Sequence, residues 1–165
     1  MRIFLTEEEW LQAKERGRSL KEVNLETKDT PAYSDQSLKV YTDEADAGFV
    51  MSVAECAVAK ATDLRWHAKV WPRAEHHIHK DEPDVGENIE VRHITHPSAG
   101  LVVREKDLHK DKVLFLAYPD PTTEYREVEV IGWRLADEAW LEGHQNPKGY
   151  RRLSQARLNK WEGRR

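Results

Sequence analysis

Pro83-Asp84-Val85-Gly86-Glu87-Asn88-Ile89-Glu90-Val91-Arg92 is the stretch whose reading decides this chain. Ile89 and Val91 alternate with Glu90 and Arg92, so a strand here turns apolar side chains to a core and sets an acid and a cation on the opposite face. Gly86 to Asn88 has turn chemistry, which predicts that the chain folds back just before the strand and brings the Asp84 carboxylate beside Glu90. Oxygen ligands from Asp84 and Glu90, with the Val91 carbonyl, suit a hard divalent ion, Mg²⁺ or Mn²⁺, with positions left for water and a phosphate. Such an ion would lower the pKa of a bound water and neutralise charge on phosphorus. Arg92 would orient the water or steady the transition state, but an arginine cannot act as a general base at neutral pH.

Upstream, Val50, Val53, Ala54, Ala57, Val58, Ala61 and Leu64 recur at helical spacing and predict a buried helix opening at Gly48. Its one charged side chain between Ala47 and Ala59 is Glu55, which by itself reads as an acid on the helix edge pointing to water. Downstream, Ile89–Thr95, Gly100–Arg104, Val113–Tyr118 and Glu127–Trp133 carry strand signals separated by turn residues, which reads as a β-meander. Arg134–Glu142 returns to helical spacing and stops at Gly143. At the start, Thr6 and Glu9 form a capping-box pattern for a short helix to about Arg16, and residues 22–44 read as an irregular connection. The expected fold class is α+β, a central mixed or antiparallel sheet flanked by helices, in one domain. Residues 1–46 form its N-terminal extension, 47–142 its core and 143–165 a basic end.

At 165 residues, 39% hydrophobic and 34% charged, the chain is long enough for one packed domain and short for two. A net charge of -4 excludes a uniformly basic nucleic-acid coat, yet the charge is uneven: residues 143–165 hold seven basic residues against Glu162, or +6, leaving -10 on the first 142. Two readings of that end stand side by side. Arg151, Arg152 and Arg157 with Tyr150 and Trp161 interleaved can lie along a DNA backbone, or the segment is a solvated helix whose Tyr150, Leu153 and Trp161 dock on the core. The single cysteine, Cys56, excludes an intramolecular disulfide framework and a four-cysteine zinc site, and reads as a small core residue in a cytoplasmic protein. No apolar run approaches membrane-spanning length, no signal-peptide core follows Met1, and no glycine-rich phosphate cradle occurs.

Pro-Asp, a short gap and Glu-x-Arg, read on Asp84, Glu90 and Arg92, resembles the signature of the PD-(D/E)XK nuclease superfamily. Glu55 stands where such nucleases often carry an acid on the preceding helix. The stretch from Gly48 to Trp133 is also similar to small bacteriophage-encoded proteins, through Ala54 to Lys60, Asp84-Val85-Gly86, Glu90-Val91-Arg92, Leu101 to Arg104 with Asp107, and Gly132-Trp133. The resemblance implies a restriction-endonuclease-like core and metal-dependent cleavage of DNA in a host cytoplasm, with catalytic roles for Glu55, Asp84, Glu90 and Arg92. It departs in one place, since the superfamily usually has lysine where this chain has Arg92. A catalytically silent relative that binds DNA or a host protein is the alternative. Arg104 is expected either to hold a phosphate in the same cleft or to pair with Asp107. His76, His77 and His79 lack zinc-site spacing and read as a polar loop, from which one imidazole can reach a phosphate as a proton donor. Alanine at Glu90 is expected to abolish cleavage and leave the fold intact, by relieving repulsion among acids.

Overall fold

The computed structural model describes residues 1–25, 47–108 and 111–163; most of the connection expected over 22–44, and Arg164 and Arg165, lie outside the described residues. Among the described residues the α-helices and strands follow in chain order: β1 (Arg2–Phe4), α1 (Glu7–Leu25), α2 (Ala47–Thr62), a short α3 (His76–His79), β2 (Ile89–His93), β3 (Leu101–Val103), β4 (Val113–Pro119), β5 (Glu127–Leu135), α4 (Ala136–Glu142), β6 (His144–Gln145) and β7 (Arg151–Leu153). They build an α+β fold with two sheets. One is mixed and ordered β1-β5-β4-β2; the other is antiparallel and ordered β3-β7-β6.

The capping box forms as its pattern requires: the Thr6 amide donates to Glu9 Oε2 at 2.7 Å and the Glu9 amide to Thr6 Oγ1 at 3.2 Å. The helix does not stop near Arg16 but runs on to Leu25. It runs on through Gly17, which is where α1 presses on α2. A Cβ at Gly17 would lie 2.6 Å from the Phe49 Cα and 2.7 Å from its nitrogen, so the helices meet backbone to backbone. Gly17→Ala should therefore destabilise the protein by about 1–3 kcal/mol by forcing the helices apart, despite alanine's higher helix propensity. A urea midpoint equal to that of the parent would contradict this packing.

The strands fall where their sequence signals lie, but they do not form a meander. β2 pairs in parallel with β4, Ile89 opposite Val113 and His93 opposite Ala117, and β3 leaves for the second sheet. Parallel neighbours need a crossover, and residues 94–112 supply it, carrying β3 on the way. The helical reading of Arg134 is also corrected: β5 keeps its ladder to Leu135, with Arg134 opposite Leu114, and α4 begins at Ala136. Of the two forms expected for the basic end, the solvated helix is corrected. Asn146 to Gly149 makes a turn, closed by the Asn146 amide on the Tyr150 carbonyl at 2.8 Å, and β6 and β7 form a hairpin whose Leu153 pairs with Leu101. The docking of Leu153 and Trp161 does hold: Leu153 is 1% exposed, and the Trp161 indole donates to the Ala61 carbonyl at 3.0 Å.

Pairs opposite one another on a sheet share a face, so β2 divides its side chains between two cores. Ile89 and Val91, with Phe115 and Ala117, pack under α2 against Val53, Ala57 and Val58. Glu90 and Arg92 face the other way, in register with Leu114 and Leu116, whose core includes Leu101, Val103, Ala136, Ala139 and Leu153. Among the described residues β2 is an outer strand of its sheet, with one edge paired to no other strand, and the site lies there.

Candidate functional site

The turn expected before β2 is present. Gly86 adopts φ 58°, and Val85 and Ile89 exchange two backbone hydrogen bonds, each 3.2 Å. This return lays Asp84 along the free edge of β2, where its Oδ2 accepts the Val91 amide at 2.8 Å. The Asp84 carboxylate thus takes the place of a neighbouring strand. Glu90 approaches the edge from one face of the sheet and Glu55, on α2, from the other. All three acids line one cavity of about 200 Å³, with Arg16, Lys69 and Glu82 among its other walls.

Glu55 does not point to water: it is 2% exposed, and its Oε2 accepts from Arg16 Nη1 at 2.7 Å and from the Trp66 indole at 2.9 Å. Burial pushes its carboxyl up; Arg16 and Trp66 pull against this without reversing it, and Glu90 adds to the rise. Asp84 is raised well above the usual carboxylate range, first by burial, then by the charges of Glu55 and Glu90, against the weaker opposing pull of the Val91 amide and Arg92. Among the described residues Asp84 has no ion pair, whereas Glu55 pairs with Arg16, and Glu90 with Arg92 and Lys112.

Arg92 shares the face of Glu90 but does not line the cavity. Its Nη2 donates to Asp107 Oδ1 at 2.8 Å and its Nη1 lies 3.4 Å from Glu90 Oε2. Burial opposes its charge, yet Asp107 and then Glu90 hold the guanidinium above its ordinary range. Asp107 is 1% exposed and also accepts the Arg104 amide at 2.9 Å. Of the two fates expected for Arg104, pairing with Asp107 occurs through the backbone alone, and its side chain is exposed beside this network. A lysine stands beside Glu90 from just ahead of β4. Lys112, 6% exposed, donates to Glu90 Oε1 at 3.0 Å.

The arginines of the C-terminal segment are not brought to the cavity. Arg151 donates to the Trp140 carbonyl at 2.6 Å and stacks on that indole, Arg152 lies 5.9 Å from the Tyr150 ring centre, and Arg157 is 3.8 Å from Glu142. The histidine segment is a 3-10 turn (Arg73–Glu75) running into α3 rather than an irregular loop. His77 is exposed, and His76 Nε2 is 2.9 Å from the Trp71 carbonyl. His79 reaches the cavity wall, stacked on Trp71 with ring centres 3.5 Å apart and 2.8 Å from Glu82 Oε1, while Glu82 Oε2 pairs with Lys69.

Arg16 and Lys112 escaped the sequence reading, though each had a signal. Lys112 continues the alternation of Leu114 and Leu116, placing a cation on an inward-facing row. Arg16 follows Trp10 and Ala13 at the helical interval that faces α2.

His93, at the end of β2, is pushed down to about 4, by burial first and then by Arg92. A neutral imidazole in the folded state and an ordinary one in the unfolded state make stability complete above about pH 6.5 and lost as pH falls towards 4. The loss should reach on the order of 2 kcal/mol by about pH 5. In His93→Gln urea midpoints should vary less over this interval; an unchanged pH profile would exclude His93 as its source.

Among the described residues, no group of three or more His, Cys, Asp or Glu side chains is spaced to enclose a metal ion. The donor chemistry nevertheless suits a hard divalent cation. The described bonds to Glu55 and Asp84 fall on one oxygen of each, Oε2 and Oδ2, and Asp84, half-buried, has no ion pair among the described residues. No helix among the described residues is long and apolar enough to cross a membrane. Fold and site together define an α+β protein with an acidic cavity at the edge of a mixed sheet. No family model, curated protein or solved structure matches the chain.

Proposed function

We propose that this protein is a metal-dependent nuclease with a restriction-endonuclease-like core, hydrolysing DNA phosphodiesters with Mg²⁺ or Mn²⁺. The observation that carries this reading is the meeting of Glu55, from the buried helix, with Asp84 and Glu90 in one cavity where Asp84 has no ion pair among the described residues. Crowding like charges away from water raises their pKa values and lowers stability, which is a cost characteristic of functional sites. Asp84 and Glu90 would hold the ion, with Glu55 as the third acid. When bound, the ion supplies the Lewis acidity that activates water and neutralises phosphoryl charge.

The chain's own groups do the rest. Arg92, clamped by Asp107, is a fixed positive charge behind Glu90 that cannot be titrated away. Lys112 holds the other Glu90 oxygen and orients that carboxylate. Arg104 beside the site, and Arg151, Arg152 and Arg157 on the second sheet, are the candidate contacts to the DNA backbone, positioning the strand without reading its sequence.

A silent nuclease-like protein that binds DNA or a host protein is favoured by one specific feature: both Glu90 oxygens already face protein cations. Incubation with supercoiled plasmid separates the two readings. The nuclease reading expects nicking that requires Mg²⁺ or Mn²⁺ and disappears with chelator. Absence of nicking, together with no calorimetric Mn²⁺ uptake at millimolar concentration, would reject it in favour of the binding protein.

A further inference from the structure

The second sheet has two faces of opposite character. Residues paired across strands share a face, so the registers of β3 with β7 and of β6 with β7 sort its side chains into two rows. Leu101, Val103 and Leu153 turn inward and are at most 1% exposed. Arg151 shares their row and is engaged there by the Trp140 carbonyl and indole. The outer row holds Arg152 between Val102 and His144, with Arg152 and His144 exposed. Arg104 is extended (φ -112°, ψ 153°), so the alternation carries on past β3 and sets its exposed side chain on this outer face. Tyr150, half-buried, belongs to the same face: the Arg152 guanidinium lies 5.9 Å from its ring centre. Continuing the β3–β7 register by one position puts Arg104 across from Tyr150. Among the described residues neither Arg104 nor Arg152 has an ion pair, unlike Arg16, Arg92, Arg126 and Arg134. The adjoining acid is Glu105, next to Arg104 in sequence and exposed.

We infer that the outer face of the β3-β7-β6 sheet binds single-stranded DNA, with Tyr150 stacking on a base and Arg104 and Arg152 meeting the flanking phosphates. A chain of net charge -4 does not attract a polyanion as a whole, so one that binds must be met by a local face of opposite sign. An aromatic ring flanked by two unpaired guanidiniums complements both parts of a single strand, the exposed base and the charged backbone. A duplex keeps its base faces stacked on one another, and a run of carboxylates on a peptide offers charge alone. The inference rests on the DNA reading above only for the choice of partner and needs no metal. It also separates Arg104 and Arg152 from Arg151 and Arg157, which Trp140 and Glu142 already engage.

Fluorescence anisotropy of the full chain with a labelled oligothymidylate of about 12 nucleotides tests the face, with chelator present so that nothing is cleaved. The oligonucleotide should bind more tightly than a duplex of the same length. Tyr150→Leu is expected to weaken binding about fivefold or more without changing its salt dependence, and Tyr150→Phe, which keeps the ring, should bind like the parent. Arg104→Gln and Arg152→Gln should each weaken binding and flatten the slope of log affinity against log salt by about 0.7, the loss of one phosphate contact on a single strand. Arg18→Gln, which removes an exposed cation from α1, should change neither quantity. Urea midpoints confirm that each variant is folded, and the two arginine slopes carry the test should Tyr150→Leu fail to fold. The inference is overturned if duplex or polyglutamate binds as tightly as the oligothymidylate, if the matching oligouridylate binds more tightly, or if both arginine variants behave like Arg18→Gln. Oligonucleotide binding that depends on these residues, in a parent chain that takes up no Mn²⁺ and nicks no plasmid, would sustain the face and reject the nuclease reading. Nicking by a chain whose oligonucleotide binding ignores all three substitutions would reject the face alone.

Discussion

Asp84→Asn should abolish Mn²⁺ uptake and plasmid nicking while making the metal-free protein more stable. The two effects have one cause. Asp84 sits among Glu55 and Glu90 without an ion pair among the described residues, and burial together with those charges lifts its carboxyl well above the ordinary range. Ionising it at neutral pH therefore opposes folding, and each unit of upward shift corresponds to about 1.4 kcal/mol. Asparagine is nearly isosteric, and its amide oxygen can still accept the Val91 amide that closes the edge of β2. A gain on the order of 1 kcal/mol or more in urea denaturation with chelator present is expected. Divalent ions should raise the stability of the parent and leave the variant unmoved, because only a site that binds the folded state stabilises by mass action. A destabilised variant would mean that Asp84 is a structural acid; a variant that still nicks would remove it from the catalytic set.

Glu90→Ala should behave in the opposite way towards stability. Read from sequence, Glu90 is one acid of a repelling group, and its removal is expected to leave the fold unharmed. The structure reverses that expectation, because Glu90 is the partner of Lys112, 6% exposed, and of Arg92. Stranding a buried ammonium typically costs about 3–5 kcal/mol, far more than the repulsion relieved. Lost activity in this variant would report unfolding as much as chemistry, so Asp84→Asn is the cleaner probe of the site. Combining Glu90→Ala with Lys112→Met should restore most of the stability, since the second change removes the stranded charge. If the double variant is no more stable than Glu90→Ala, Lys112 is not the source of the loss.

The resemblance to a nuclease motif and the alternation in one decapeptide pointed to Glu55, Asp84 and Glu90, and the cavity contains all three. Arg92 was placed correctly on its face but not in its surroundings, because alternation tells which way a side chain leaves a strand and nothing about what waits there. Asp107, 15 positions on in the chain, claims its guanidinium. Lys112 and Arg16 show the same limit from the other side: each was readable as a cation on an inward-facing row, but its acid lies 22 or 39 positions away. The C-terminal hairpin was missed for a different reason. Its charge and spacing fit a solvated helix, while Asn146-Pro147-Lys148-Gly149 carries plain turn chemistry.

Local periodicity in the sequence by itself determined the capping box, the apolar helix α2, the four long-range strand segments and the turn that sends Asp84 back along β2, because each depends on neighbours a few residues apart. Tertiary structure alone decided the parallel pairing of β2 with β4, the departure of β3 to a second sheet, and which cation neutralises which acid. Those outcomes depend on how distant segments share buried space and charge, and a pattern repeating every two or four residues carries no information about a partner tens of residues away.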